Sequence, residues 1–132
     1  MTTWPRPGGG DAIRILLVDD EADIVELFSM VLERRGHSCA IASTGHHALE
    51  LVESFRPHLL LLDIGLPDID GYQVARQVRA SRGNTIFIAA VTGWGKREDR
   101  EKAFAAGIDT HLTKPVNEGA LLEVLARVTR MT

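Results

Sequence analysis

Five short apolar runs alternate along this chain with stretches whose apolar residues recur at helical spacing. The runs are Ile13 to Val18, His37 to Ala42, His58 to Leu62, Thr85 to Val91 and Ile108 to Thr113. Each has about the length of a buried strand. Asp20 to Arg35, Thr44 to Phe55, Asp70 to Arg82, Lys96 to Ala106 and Asn117 to Arg130 read as helices. The first places Ile24, Leu27, Phe28, Val31 and Leu32 on one face, with Asp20 positioned to cap it and Gly36 to stop it. The second carries Ala48, Leu49 and Val52, and the third Val74, Ala75 and Val78. Leu121, Leu122, Leu125 and Val128 face inward from the last. Strands and helices alternating over short loops predict an α/β domain whose parallel sheet is covered on both faces.

Composition narrows the class without naming it. The 132 residues suit one domain, read as residues 13–130 after a flexible N-terminal tail, 1–12. The net charge of −3 carries no basic stripe, so direct nucleic-acid binding is not expected. No apolar stretch approaches the ~20 residues that span a bilayer, so no direct membrane contact is expected either. Cys39 is the single cysteine, which excludes an intrachain disulfide and makes a cytoplasmic setting the expectation.

The chemistry lies where the apolar runs end. One run stops at Asp19-Asp20, another at Asp63, a third at Thr92 and a fourth at Lys114-Pro115. If these are parallel strands of one sheet, their carboxyl ends share an edge, where open α/β sheets place their sites. Three carboxylates, a hydroxyl and an ammonium then converge. Two unit charges ~4 Å apart repel by about 4 kcal/mol at an effective dielectric near 20, so the carboxylates call for a cation. All-oxygen ligation, with the Gly65 carbonyl as a further donor, favours Mg²⁺ or Mn²⁺ over zinc. A carboxylate is also a competent nucleophile for phosphoryl transfer, and Lys114 and Thr92 are suited to hold the transferred oxygens. Taken singly, each piece has a plainer reading: a helix cap at Asp19-Asp20, a turn at Asp63, a strand end at Thr92, a surface lysine at Lys114. Their ordered occurrence, each after its own strand, argues for a site.

That ordered set resembles the receiver domain of two-component response regulators. The matching pieces are Ile15-Leu16-Leu17-Val18-Asp19-Asp20-Glu21, Leu61-Leu62-Asp63-Ile64-Gly65-Leu66-Pro67 with Asp70-Gly71, Val91-Thr92-Gly93, and Lys114-Pro115. The resemblance runs from about Ile13 to Arg130. It implies a flavodoxin-like (βα)5 doubly wound sheet of strand order 2-1-3-4-5. It implies Asp63 as the phospho-acceptor, Asp19 and Asp20 as the metal-binding acidic pair, and Thr92 and Lys114 as the phosphoryl-binding and switch residues. It also implies a cis bond before Pro115, and a histidine kinase or histidine phosphotransfer protein as partner. The usual output surface is the fourth helix, fifth strand and fifth helix, through which a homodimer is a further implied partner. The stretch from Thr92 to Val116 is also similar to receivers carried by hybrid sensor kinases.

Three positions depart from the family pattern. His111 stands where a rotating aromatic side chain is usual, three residues before the lysine. Trp94, two residues after Thr92, is expected to shield the site from water and slow dephosphorylation. Gly65 offers no side chain to direct that water. An aspartate-nucleophile, Mg²⁺-dependent phosphatase is the alternative from another class, but its nucleophile follows the first strand with a second Asp two residues on. A flavin carrier would need a phosphate-cradling loop where Asp19-Asp20 stands. His46-His47 lacks the i, i+4 spacing of a metal pair, and Arg97 to Lys102 reads as a solvated helical face.

Overall fold

The computed structural model describes residues 12–93 and 97–130. Five strands, β1 (Arg14–Val18), β2 (Ser38–Ala42), β3 (Leu59–Asp63), β4 (Phe87–Thr92) and β5 (Thr110–Thr113), alternate with five helices. These are α1 (Ala22–Arg34), α2 (Gly45–Phe55), α3 (Gly71–Arg82), α4 (Arg97–Ala105) and α5 (Glu118–Arg130). All strand pairs are parallel, in the order β2-β1-β3-β4-β5. This is the flavodoxin-like arrangement that the sequence resemblance implied.

Side chains alternate across each strand, so each apolar run feeds two cores. Leu16, Val18, Leu60, Leu62, Ile88 and Ala90 pack with α2, α3 and α4. Ile15, Leu17, Leu59, Leu61, Phe87 and Ala89 pack with α1 and α5. Burial on both faces explains why β3 reads Leu59-Leu60-Leu61-Leu62 without polar interruption. Thr44 caps α2 by accepting the His47 N–H at 3.1 Å, and Asp70 caps α3 by accepting the Gln73 N–H at 2.9 Å. Gly36, Gly83 and Gly107 leave their helices at positive φ, a conformation that only glycine adopts without strain.

Helix α1 buries only part of its apolar face. Val25, Ser29 and Leu32 are its buried residues. Phe28 and Val31 are half-buried, whereas Ile24 is 36% and Leu27 59% exposed. The apolar arc of α1 is wider than the strip of sheet it lies on, and the sheet covers only one side of that arc. Nor does Asp20 cap this helix: the N-cap is Glu21, with no side-chain cap bond. In α5, Val124 joins Leu121, Leu125 and Val128 in the core and Leu122 is half-buried.

Candidate functional site at the carboxyl edge of the sheet

Each expected chemical group follows from the sheet's hydrogen-bond ladder. Past the last paired residue of β1, the Asp19 N–H donates to the Ala42 carbonyl at 3.1 Å. Asp63 ends β3, and the next residue, Ile64, donates to the Val91 carbonyl at 3.2 Å. Thr92 ends β4, and its carbonyl accepts the Lys114 N–H at 2.8 Å. Asp19, Asp63, Thr92 and Lys114 are therefore carried by rungs of the sheet rather than by free loops.

Asp19, Asp20 and Asp63 each bring a carboxylate oxygen to within 4.8 Å of the others. Asp19 and Asp63 are buried and Asp20 is exposed. The Asp19 Oδ1 accepts the Glu21 N–H at 3.0 Å, which turns this carboxylate rather than Asp20 toward the start of α1. The Asp63 Oδ1 accepts the Gly65 N–H at 3.1 Å. Lys114 Nζ lies 3.4 Å from Asp63 Oδ1, 3.8 Å from Asp19 Oδ2 and 3.8 Å from Glu21 Oε1. Sequence reasoning missed Glu21, whose place in the Asp19-Asp20-Glu21 run was the available signal.

The electrostatics follow from crowding. Burial pushes the Asp19 carboxyl above its ordinary value, and the Asp63 charge pushes it further. The Glu21 N–H and Lys114 oppose this without cancelling it. Burial alone would lower the Lys114 pKa, but Asp63 and Asp19 outweigh it and hold the ammonium above its ordinary value. The site is thus short of positive charge even with Lys114 in place. Its donor set, three carboxylates with oxygens within 4.8 Å of one another, fits a hard divalent cation.

Thr92 is buried next to this cluster. His111 is half-buried and pairs in register with Ala90. Leu112 packs into the α1/α5 core, so His111, its neighbour on the strand, faces the α4 layer. The Lys114–Pro115 bond is cis. Trp94 lies outside the described residues. Beside Asp19, Glu21 and Lys114 lies a cavity of about 500 Å³, walled largely by apolar residues that include Ile24, Leu27, Phe28 and Leu112.

Acidic pair, central aspartate, hydroxyl and lysine at the carboxyl edge of a 2-1-3-4-5 sheet define a receiver-type signalling domain. A family model described as the response regulator receiver domain matches residues 15–126, and the chain belongs to that family. It is 35% identical over 112 residues to an uncharacterised 14.6 kDa protein of Leptolyngbya boryana, covering 84% of this chain and 86% of that one. It is 38% identical over 116 residues to the response regulator MprA of Mycolicibacterium vanbaalenii, covering 88% of this chain. It spans about half the length of that relative, 48%. Among solved structures, a CheY-like receiver domain protein of Methanospirillum hungatei matches with a TM-score of 0.83 and 32% identity, covering 89% of this chain and 94% of that one. The receiver domain of Saccharomyces cerevisiae Ssk1, crystallised with the histidine phosphotransfer protein Ypd1, matches with a TM-score of 0.85 and 26% identity. That match covers 91% of this chain and 90% of that one. The chain is a receiver domain of two-component signalling, in a family of signalling proteins rather than metabolic enzymes. Among the described residues no helix is long and apolar enough to cross a membrane.

Proposed function

We propose that Asp63 accepts a phosphoryl group from a phosphohistidine on a histidine kinase or histidine phosphotransfer protein. A carboxylate oxygen of Asp63 forms the new P–O bond, the P–N bond to the donor imidazole breaks, and the imidazole leaves with a proton. The observation that carries this reading is Lys114 Nζ at 3.4 Å from Asp63 Oδ1, beside three carboxylates within 4.8 Å of one another. Asp19, Asp20, Asp63 and the Gly65 carbonyl would hold Mg²⁺ or Mn²⁺, which when bound neutralises carboxylate and phosphoryl charge. Lys114 contributes a second cation to the phosphoryl oxygens, and Thr92 a hydroxyl. The same groups serve loss of the phosphoryl group to water, so the domain catalyses only its own modification. Gly65 supplies no side chain to assist that loss.

The donor histidine has to reach bonding distance of Asp63, so the donor protein must cover the rim around that residue. Ile24 and Leu27, exposed beside Asp19 and Lys114, supply apolar contact area there. Output runs through the α4-β5-α5 face, with His111 as the side chain that responds to Thr92. Moving a two-state population from 1:99 to 99:1 takes about 5.5 kcal/mol, a demand that charge-assisted bonds to a new phosphoryl group are suited to meet. Phe104, 84% exposed on α4, supports an apolar contact on this face, which we assign to a second copy of the chain.

The test is intact mass after incubation with acetyl phosphate and Mg²⁺. One added phosphoryl group is expected, absent from Asp63→Asn and absent without Mg²⁺. Equal phosphorylation of Asp63→Asn would overturn the assignment.

A further inference from the structure

Helix α2 receives part of its N-terminal capping from a distant segment. The Thr44 side chain accepts the His47 N–H at 3.1 Å. The Gly45 and His46 N–H groups donate instead to Asp68, to Oδ1 at 2.8 Å and Oδ2 at 2.9 Å. The His46 Nδ1 lies 2.5 Å from the same Oδ2. Asp68 belongs to the β3–α3 loop, the segment that leaves the phospho-acceptor. Next to it, Ile69 fills the space that a Cβ on Gly45 would need, so helix and loop meet flush. These backbone hydrogen bonds, His46 first, hold the Asp68 carboxyl well below the usual carboxylate range, as expected for a carboxylate that accepts several donors.

The rest of the loop is fastened at its two ends. Ile64 is held by its bond to Val91, and the Gly71 N–H returns to the Ile64 carbonyl at 3.0 Å. A Cβ at Gly71 would stand 2.8 Å from Ile64 Cα and 2.9 Å from the Asp63 carbonyl oxygen. Between Ile64 and Asp68, Gly65 is exposed, and a Cβ there would meet nothing nearer than Asp63 Oδ1 at 3.9 Å. The Gly65 N–H is tied to Asp63 Oδ1 at 3.1 Å, and its neighbours Ile64 and Leu66 pack against the core. The sheet on one side and the Asp68 cap on the other add the two anchors that hold the loop ends around it.

We propose that Asp68 is a positioning residue for the phospho-acceptor site: by capping α2 from the loop that follows Asp63, it fixes the Gly65 peptide, and with it the geometry for binding a divalent cation. The proposal rests on the phospho-acceptor reading above. It differs from a plain helix cap in what it should move. A cap that only stabilises α2 changes unfolding and leaves cation affinity alone.

The experiment compares Asp68→Ala, Asp68→Asn and Thr44→Ala in the full chain. Thr44→Ala also removes a cap from α2 but leaves the loop anchor intact. Mg²⁺ dissociation constants come from isothermal titration calorimetry, and exchange of the Gly65 N–H from metal-free NMR. Asp68→Ala is expected to weaken Mg²⁺ by roughly tenfold, the low end of losses for residues supporting metal ligands, and to speed Gly65 exchange. Asp68→Asn, which keeps one acceptor oxygen, should recover part of both, and Thr44→Ala should stay within about twofold of the parent in affinity. Equal weakening by Thr44→Ala and Asp68→Ala, or unchanged affinity in Asp68→Ala, would overturn the proposal. A parent protein that binds no Mg²⁺ would overturn the phospho-acceptor reading instead. Gly65 exchange would then decide the anchor alone, with unchanged exchange in Asp68→Ala counting against it.

Discussion

The two faces of the sheet are built to different tolerances. On one face α2 packs directly against α3, and Ile69 and Val74 crowd Gly45 until no Cβ fits. On the other, α1 leaves Ile24 and Leu27 exposed, and a cavity of about 500 Å³ separates it from the segment around Val116 and Leu121. The pair that spans α1 and α5, Arg35 to Glu118 at 3.5 Å, is solvent-exposed and contributes little. The difference teaches where accuracy is needed. The close-packed face anchors the loop behind Asp63. The open face borders the side of the site that, on the function proposed above, a donor protein has to reach.

Truncation gives the largest contrast. Leu62→Ala, fully buried on the close-packed face, is expected to cost about 2–5 kcal/mol. Leu27→Ala on α1 should stay within about 0.5 kcal/mol, as at other exposed positions. Urea denaturation measures both, and a similar loss for the two would erase the distinction between the faces.

A second prediction sets the sheet's two edges against each other. The carboxyl edge gathers charge, whereas the opposite edge buries a neutral imidazole. His58 Nδ1 accepts the Arg14 N–H at 2.9 Å, and burial, helped by the Arg14 charge, lowers its pKa to about 4. Unfolded chains protonate histidine near 6.5. Between those values the unfolded state binds more protons, so stability falls as pH falls, by about 1.4 kcal/mol per pH unit at most and about 3 kcal/mol across the window. Asp19, raised by burial, acts in the opposite sense above its ordinary 3.8, so the difference between parent and His58→Asn isolates the histidine. Parallel stability–pH curves for the two proteins would refute this assignment.

The smallest contrast adds one methylene to each face. Val74→Leu enters a filled region, where a Cβ on Gly45 would already stand 3.0 Å from Val74 Cγ2, and should cost about 1–3 kcal/mol. Val25→Leu, beside the cavity, should be neutral or gain up to about 0.8 kcal/mol. Thermal melts of the two variants check the order.

Much of this was legible in the chain. Apolar runs ending in Asp19, Asp63, Thr92 and Lys114 announced both the sheet and its chemical edge, because a strand buried on both faces can carry ionisable groups only where it ends. What failed was orientation and distance. Periodicity marks an apolar arc on α1 that includes Ile24 and Leu27, but not how much of that arc the sheet covers. Asp20 looked like the cap because it stands nearest the helix, yet Asp19 is the residue whose side chain bonds the Glu21 N–H. Asp68 had no local signature at all, since its partners lie 22 and 23 residues earlier in the chain.

The ladder beneath the site also acts as a ruler. Asp19 and Asp63 extend neighbouring strands, β1 and β3, and neighbouring strands lie about 4.8 Å apart. Two oxygens about 2.1 Å from one small cation stand at most about 4.2 Å apart, so the repeat leaves the two carboxylates only a short lean of their side chains from sharing it. The gauge of the site is therefore set by the peptide backbone, the least mutable part of the chain. Side-chain substitution can change the charge placed on the ruler, but not the interval between its marks.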